Sequence, residues 1–296
     1  MKTSVQHLLK FCVVFFMIAV NSSLQSEAQY VITRDVKKAY DNDSVVLFMN
    51  NIRGEVQWES SGDLTVWGTL AGQTHDTLAI HVDHSAYYRA VIKEGTCATL
   101  YSDTVLIAEL YDDRDRQFYD VVKIGGQWWM AENLNYSVAG SDYYDNDSAT
   151  NAAPYGRLYT WSAMMSGNAS SNLNPSGIQG ICPAGWHIPG NAEWSELITY
   201  FGGSATAGSE LKEEGTTYWK NPNNDATNAS GFTARPAGMI TETKVSGDIK
   251  THAYFWTATE SDGTSAYIKW MSNNSASVSE SAVGKDTYRS VRCKKD

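Results

Sequence analysis

Apolar and polar positions alternate in short runs from Tyr30 to about Ala108. The runs "SVVLFMN", "GEVQWESSG", "TLAIHV", "YYRAVIKEG" and "DTVLIAEL" fit the two-residue period of strands, and "DNDS", "SSGD" and "EGT" between them are turn chemistry. No run here sustains helical periodicity. Strands spaced roughly ten residues apart predict an antiparallel sandwich, with Trp58 in mid-strand as a core indole.

A charged linker, Asp112 to Gln117, then leads into "FYDVVKIGGQWWMAENL". Its alternating runs on either side of Gly125-Gly126 predict a hairpin. Beyond it the period changes. Trp194, Leu197, Ile198 and Phe201 fall at i, i+3, i+4 and i+7 and predict a helix over 191–203. Pro189 blocks helix upstream, Gly190 or Asn191 caps it, and Gly202-Gly203 stops it. "YGRLYTWSAMM" predicts a shorter helix with Leu158, Trp161 and Met165 on one side. "SGNASSNLNPSG" and "SNNSASVSESAVG" read as polar loops, and "TYRSVRCKKD" as a closing strand.

The first residues change the picture of where this fold sits. Lys2 and Lys10 precede or open the apolar run "FCVVFFMIAV", and Ser26-Glu27-Ala28 has the small-x-small pattern of a signal-peptidase site. The run is shorter than the roughly 20 residues a spanning helix needs. Residues 1–28 are therefore expected to be a secretory signal, followed by a mature chain with no integral membrane segment. The expected location is outside the inner membrane, in the periplasm or on the outer surface of a Gram-negative bacterium. Cys12 opens the apolar run rather than following it, which places it poorly for acylation.

The net charge of −10 becomes −11 when Lys2, Lys10 and Glu27 leave with the signal. That sign disfavours nucleic acid and anionic membranes, both of which need a basic footprint. Export leaves Cys97, Cys182 and Cys293, so at most one internal bridge forms and one thiol remains. No C-x-x-C pair, G-x-S-x-G, H-E-x-x-H or P-loop occurs. Ten tryptophans and seventeen tyrosines suit a β-rich, loop-rich protein whose surface meets sugars or proteins.

Two resemblances add to this reading. "WESSGDLTVWGTLAGQTHDTL" and "YYRAVIKEGTCATLYSDTVLI" resemble an immunoglobulin-like module of secreted bacterial proteins, over 29–110. Such modules often pair the cysteine matching Cys97 with an earlier one. "KKAYDNDSVVL" offers none, so Cys97 is expected to be a small, unpaired core residue with no nearby base to activate it. From 111 to 296 the chain resembles the Fibrobacter succinogenes major paralogous domain. The motifs are "DVVKIGGQWWMAENL", "YGRLYTWSAM", "CPAGWHIPGNAEWSEL", "GFTARPAG", "FWTATE" and "SVRCKKD". That family is similar in pattern to formylglycine-generating enzymes and the C-type-lectin-like fold, which implies an α+β unit with two helices, a small twisted sheet and long loops. The expected architecture is thus multidomain: an all-β sandwich, then an α+β lectin-like domain.

The resemblance also implies that Cys182 is bonded to Cys293, since they lie in two of its motifs. A loop of more than a hundred residues would then be closed, worth up to roughly 4.7 kcal/mol in the chain-entropy model. Trp186 and Trp194 flank that bridge. His187, between Trp186 and Ile188, suits a hydrogen-bonded structural residue better than a base or metal ligand. Glu193, third after Gly190, suits a helix-start cap better than acid–base work.

Formylglycine-generating enzymes bind copper through two nearby cysteines in their C-terminal part, whereas only Cys293 stands there. Variants that hydroxylate small molecules use histidine and carboxylate ligands, and His187 and His252 lie in separate motifs. An oxidase or hydroxylase is accordingly the alternative and a non-enzymatic module the expectation, with no cofactor and no dedicated metal. C-type lectins carry E-P-N or Q-P-D followed by W-N-D, and "NPNND" is a partial echo without the second motif. The candidate ligand surface is Tyr143, Tyr144, Trp219, Asn223 and Asp225, facing a glycan or a cell-surface protein. Asp142, Asp145 and Asp147 are weak calcium candidates, for which a solvated acidic loop is the simpler reading. A structural surface component without small ligand is a third reading.

Overall fold

The alternation of the N-terminal third becomes antiparallel sheets because every second side chain finds an apolar partner. The computed structural model describes residues 32–35, 44–50, 52–62, 64–81, 84–96, 98–107 and 109–296. The expected signal (1–28) and Cys97 lie outside these residues. Two units divide them: one runs to His81 and includes Ala86–Leu106, and the other holds Ile107–Asp296 together with the segment Val82–Ser85.

The first unit contains β1 (Ile32–Asp35), β2 (Ser44–Met49), β3 (Glu55–Ser61), β4 (Gly68–Thr69), β5 (Thr77–His81), β6 (Ala86–Lys93), β7 (Leu100–Tyr101) and β8 (Val105–Ile107). One sheet has the order β1-β2-β5 and the other β4-β3-β6-β7, with β8 also on β6. Buried residues alternate along the strands: Val45, Leu47 and Met49; Val56 and Trp58; Leu78 and Ile80; Tyr88, Ala90 and Ile92. Trp58 is fully buried, faces Ala90 across the ladder and donates its indole N–H to His75 O at 2.8 Å.

The second unit begins at β9 (Glu109–Asp112), followed by β10 (Gln117–Ile124) and β11 (Gln127–Met130). Gly125 and Gly126 turn this hairpin at φ 58° and 87°, values that side chains with a Cβ resist. Then come β12 (Ser141–Asp142), α1 (Ser148–Tyr155), β13 (Leu158–Tyr159), α2 (Trp161–Met165), β14 (Trp186–His187), α3 (Asn191–Tyr200) and α4 (Ala207–Leu211). β15 (Met239–Ile240), β16 (Ser246–Gly247), β17 (His252–Glu260), β18 (Ser265–Ser272), β19 (Ser279–Gly284) and β20 (Lys294–Lys295) complete it.

The main sheet has the order β14-β20-β11-β10-β9, and β17-β18-β19 form a second sheet. The chain is therefore β-rich with few, short helices, and no helix among the described residues is long and apolar enough to cross a membrane.

Two expectations change, and one helix is new. The helix expected over "YGRLYTWSAMM" is split, because Tyr159 exchanges backbone hydrogen bonds with Arg289 and only 161–165 coil. α1 was not legible, because "SATNAAPY" has no apolar stripe and holds Pro154. Ser279–Gly284, expected as loop, is a strand paired along its length with β18.

The core of this unit is aromatic. Trp194 stacks on Phe255 at 5.4 Å and meets Trp129 and Phe232 at 5.4 and 5.7 Å. Burying one such side chain contributes about 1.5–3 kcal/mol. The Arg292 guanidinium lies over the Phe232 ring at 4.6 Å and donates to Asn133 Oδ1 and to the carbonyls of Met130, Phe232 and Thr233. The closing residues thus run through the middle of the unit.

Candidate functional site

The stretch 180–197 and the chain's closing residues form one seam. Cys182 and Cys293 are bonded, with Cα atoms 5.9 Å apart, closing a 111-residue separation. β20 then fits between β11 and β14. His187 Nε2 lies 2.8 Å from Glu193 Oε1 and Nδ1 lies 2.7 Å from Asp296 Oδ1. Lys294 Nζ reaches the same Glu193 oxygen at 2.7 Å, while Oε2 accepts the N–H groups of Gly190 and Ser176 at 2.9 and 3.1 Å. Burial pushes the Glu193 carboxyl up, but His187, Lys294 and the Gly190 N–H together hold it below its usual range. Every oxygen of this carboxylate is engaged, so it offers nothing to a substrate.

The opposite situation holds around α1. An open cavity of about 400 Å³ is lined by Tyr144, Tyr155 and Tyr218, with Asp145, Asp147, Asn151, Ile249 and Lys250 among its other walls. Tyr155 and Tyr218 meet edge to face at 6.0 Å. Tyr218 is held from its other side by the Arg235 guanidinium at 4.2 Å, itself bonded twice to Glu213 at 3.0 Å. Asp147 caps α1 by accepting the Thr150 N–H, and the bonds from Thr150 hold its carboxyl below the usual range. The size lies within the roughly 300–1,000 Å³ of small-ligand sites, and the lining combines aromatic rings with carboxylate, amide, hydroxyl and ammonium groups.

The turn at 248–251 links this cavity to an aromatic face on the second sheet. His252 stacks on Tyr254 at 5.4 Å, and Trp270, paired with Tyr254 across the ladder, lies 5.8 Å from His252. All three rings are half-buried. Tyr254 donates its hydroxyl to Asp248 at 2.9 Å; burial, then this carboxylate, push the phenol up.

The residues singled out in the sequence separate in space. Tyr144 lines the cavity, whereas half-buried Tyr143 carries the Arg157 guanidinium at 4.1 Å. Trp219 does not form a ligand surface. It is 1 % exposed, packs in the core and donates to Ala234 O at 3.0 Å. Its neighbour Tyr218 takes that place. Asn223 is buried and donates to Glu213 O and Gly215 O, so it pins its loop. Asp225 is exposed and lies in the field of buried Lys212, whose ammonium donates to the carbonyls of Asn224, Ser272 and Ser275. Burial draws that ammonium down to about 8.

Asp142 pairs with Lys244 at 3.2 Å, Asp147 caps the helix, and the Asp145 N–H is held by the Ser246 hydroxyl. Among the described residues, no group of three or more histidine, cysteine, aspartate or glutamate side chains could hold a metal ion. Sequence reasoning passed over Tyr218, and it quoted Tyr155 and Arg235 within the motifs "YGRLYTWSAM" and "GFTARPAG" without giving either a role at a site.

A two-unit, β-rich, disulfide-stapled protein with an aromatic cavity is the class these features define. The family model of the Fibrobacter succinogenes major domain matches residues 122–295, and the chain belongs to that family. Residues 29–109 match a domain of unknown function, DUF8696. No curated protein and no solved structure matches the chain.

Proposed function

We propose that this chain is an exported, non-enzymatic binding protein of the periplasm or outer surface of a Gram-negative bacterium. In this reading the first unit is an immunoglobulin-like spacer or stalk. The second is a C-type-lectin-like unit that meets a glycan or glycosylated cell-surface protein.

The observation that carries the reading is the open cavity with Tyr144, Tyr155 and Tyr218 on its walls and carboxylate, amide and ammonium groups beside them. Aromatic rings pack on the C–H faces of sugars while polar groups bond the hydroxyls. An oxidase of the copper type would need two free thiolates, and Cys182 and Cys293 are bonded to each other.

The test is a glycan array probed with the secreted chain. Tyr218→Ala should lower the signal about tenfold, the loss of roughly 1.4 kcal/mol of contact. Tyr101→Ala, an exposed position in the first unit, should leave the signal unchanged. Silence across the array, or equal signals for Tyr218→Ala and the parent, sinks the glycan reading.

A further inference from the structure

A second, smaller cavity of about 230 Å³ lies between β10, the segment after β11 and the last turn of α1. It shares Pro154 and Tyr155 with the larger cavity. Its other walls include Phe118, Tyr119, Ala131, Ala152 and Ala153, and its polar lining is Gln117, Glu132, Asn133, Asn135 and Arg235. Gly156 closes one side at φ 67°, where a Cβ would stand 2.8 Å from Asn133 O. The volume suits one unbranched side chain or small amine and is below the range of sites that take larger molecules.

Its polar groups are mostly engaged. Arg235 is neutralised by the two bonds to Glu213 and also donates to Pro154 O at 3.3 Å. Asn133 donates to Tyr155 O and accepts from Arg292 Nε. Gln117 Oε1 accepts from Asn135 Nδ2 at 3.1 Å. Asn135 Oδ1 is buried and has no donor. Glu132 accepts one backbone N–H, from Asp120, at 3.2 Å. Asn135 Oδ1 is closed off from the cavity, whereas the Glu132 carboxyl has acceptor positions left, so it can take a donor from the cavity.

Charge gives the same answer. Asp120 and Glu132 are hydrogen-bonded carboxyls, and among the described residues the cation beside them outside the Arg235–Glu213 pair is Arg292, whose donors go to Asn133 and three carbonyls. Two carboxyls face one cation, and the end of α1 adds partial negative charge.

The geometry points to a cation site: this cavity takes a primary ammonium group, on a free alkylamine or a lysine side chain, with Glu132 as its counter-ion. The aliphatic stem lies against Ala152, Ala153 and Pro154, and the ammonium stands at the carboxylate.

In the empty cavity, burial and then Asp120 push the Glu132 carboxyl up to about 7, against the smaller opposite pull of Arg292. Other titratable groups around it are Tyr119 and Tyr155, whose phenols burial pushes up, and the Arg235–Glu213 pair. An arriving ammonium replaces the proton that Glu132 holds, so binding near neutral pH releases a proton.

Titration calorimetry on the full mature chain tests this, using n-butylamine, n-butanol, Nα-acetyl-lysine amide and its Nε-acetylated form. Each ligand is run at pH 7 in two buffers of different ionisation enthalpy. Butylamine should bind in the millimolar range with proton release, and butanol and the acetylated lysine about tenfold or more weakly. Tighter binding of the lysine amide than of butylamine assigns the source to a polypeptide, and the reverse order to a free amine. Glu132→Gln should abolish the proton release. Ala152→Met, which fills the cavity and keeps the carboxylate, should abolish binding, with circular dichroism confirming that both variants fold. Equal binding of butanol, unchanged binding by both variants, or no heat from either amine at millimolar concentration overturns the site.

Discussion

Glu193 and Glu132 are two carboxylates of the same unit, both withdrawn from water, with opposite outcomes. Glu193 sits in the seam, where His187, Lys294 and two backbone N–H groups fill both oxygens. Its acidity is strengthened despite burial. Glu132 sits on a cavity wall with one N–H and a neighbouring carboxyl, and its acidity is weakened. The difference is one of partners, not of burial. A histidine, a glutamate, a lysine and an aspartate in close contact resemble an active site in a list of residues. Once every polar atom is satisfied they are scaffold, and the unsatisfied carboxylate marks the place that can accept something new.

The largest effect expected from breaking this contrast is Glu193→Ala. It strands Lys294 in the interior and leaves His187 Nε2 without its partner, and removing one partner of a buried charged set costs about 3–5 kcal/mol. Urea unfolding of the full chain should show that loss; a change within error would make the seam peripheral to stability.

Replacing both Cys182 and Cys293 by alanine should cost somewhat less, about 2–5 kcal/mol, because it frees a long loop in the unfolded chain. Thermal melting followed by tryptophan fluorescence reads it, and an unchanged midpoint would refute it.

The smallest effect, and the one that separates the two carboxylates, is in pH. Glu193 has a depressed folded-state pKa, so its contribution is present above its ordinary carboxyl range and lost as pH falls through the folded value. Glu132 runs the other way. Its folded pKa of about 7 lies above the ordinary value of 4.5, so its contribution is whole below 4.5 and lost as pH rises through 7. Glu132→Gln should therefore stabilise the chain at pH 8 relative to pH 4.5, by on the order of 2 kcal/mol. Denaturant midpoints for parent and variant at the two pH values check the sign; a stabilisation confined to the acid side would reverse the assignment.

Much of the frame was legible along the chain. The helix over 191–200 announced itself through Trp194, Leu197 and Ile198, all of which are buried, and Gly125-Gly126 marked the hairpin. The reading of Glu193 as a helix-start acceptor agrees with its bond to the Gly190 N–H, and the reading of His187 as a bonded structural histidine agrees with its two carboxylate contacts. These features depend on spacing within a few residues.

The cavity was not legible in that way. Tyr144, Tyr155 and Tyr218 are brought together by α1, a helix whose sequence has no apolar stripe and whose start depends on one cap from Asp147. The choice between Tyr218 and Trp219 was beyond composition, because both are large aromatics and only the packing around Phe232 and Ala234 draws Trp219 inward.

Local periodicity and turn chemistry, read from neighbours in the chain, determined where strands, the principal helix and the hairpin lie. The tertiary structure alone decided which polar groups are satisfied. The partners of Glu193, Glu132 and Arg292 include residues more than a hundred positions away or on unrelated elements. Electrostatics and hydrogen bonding act through space, and the order of residues along a chain does not encode those distances until the fold closes.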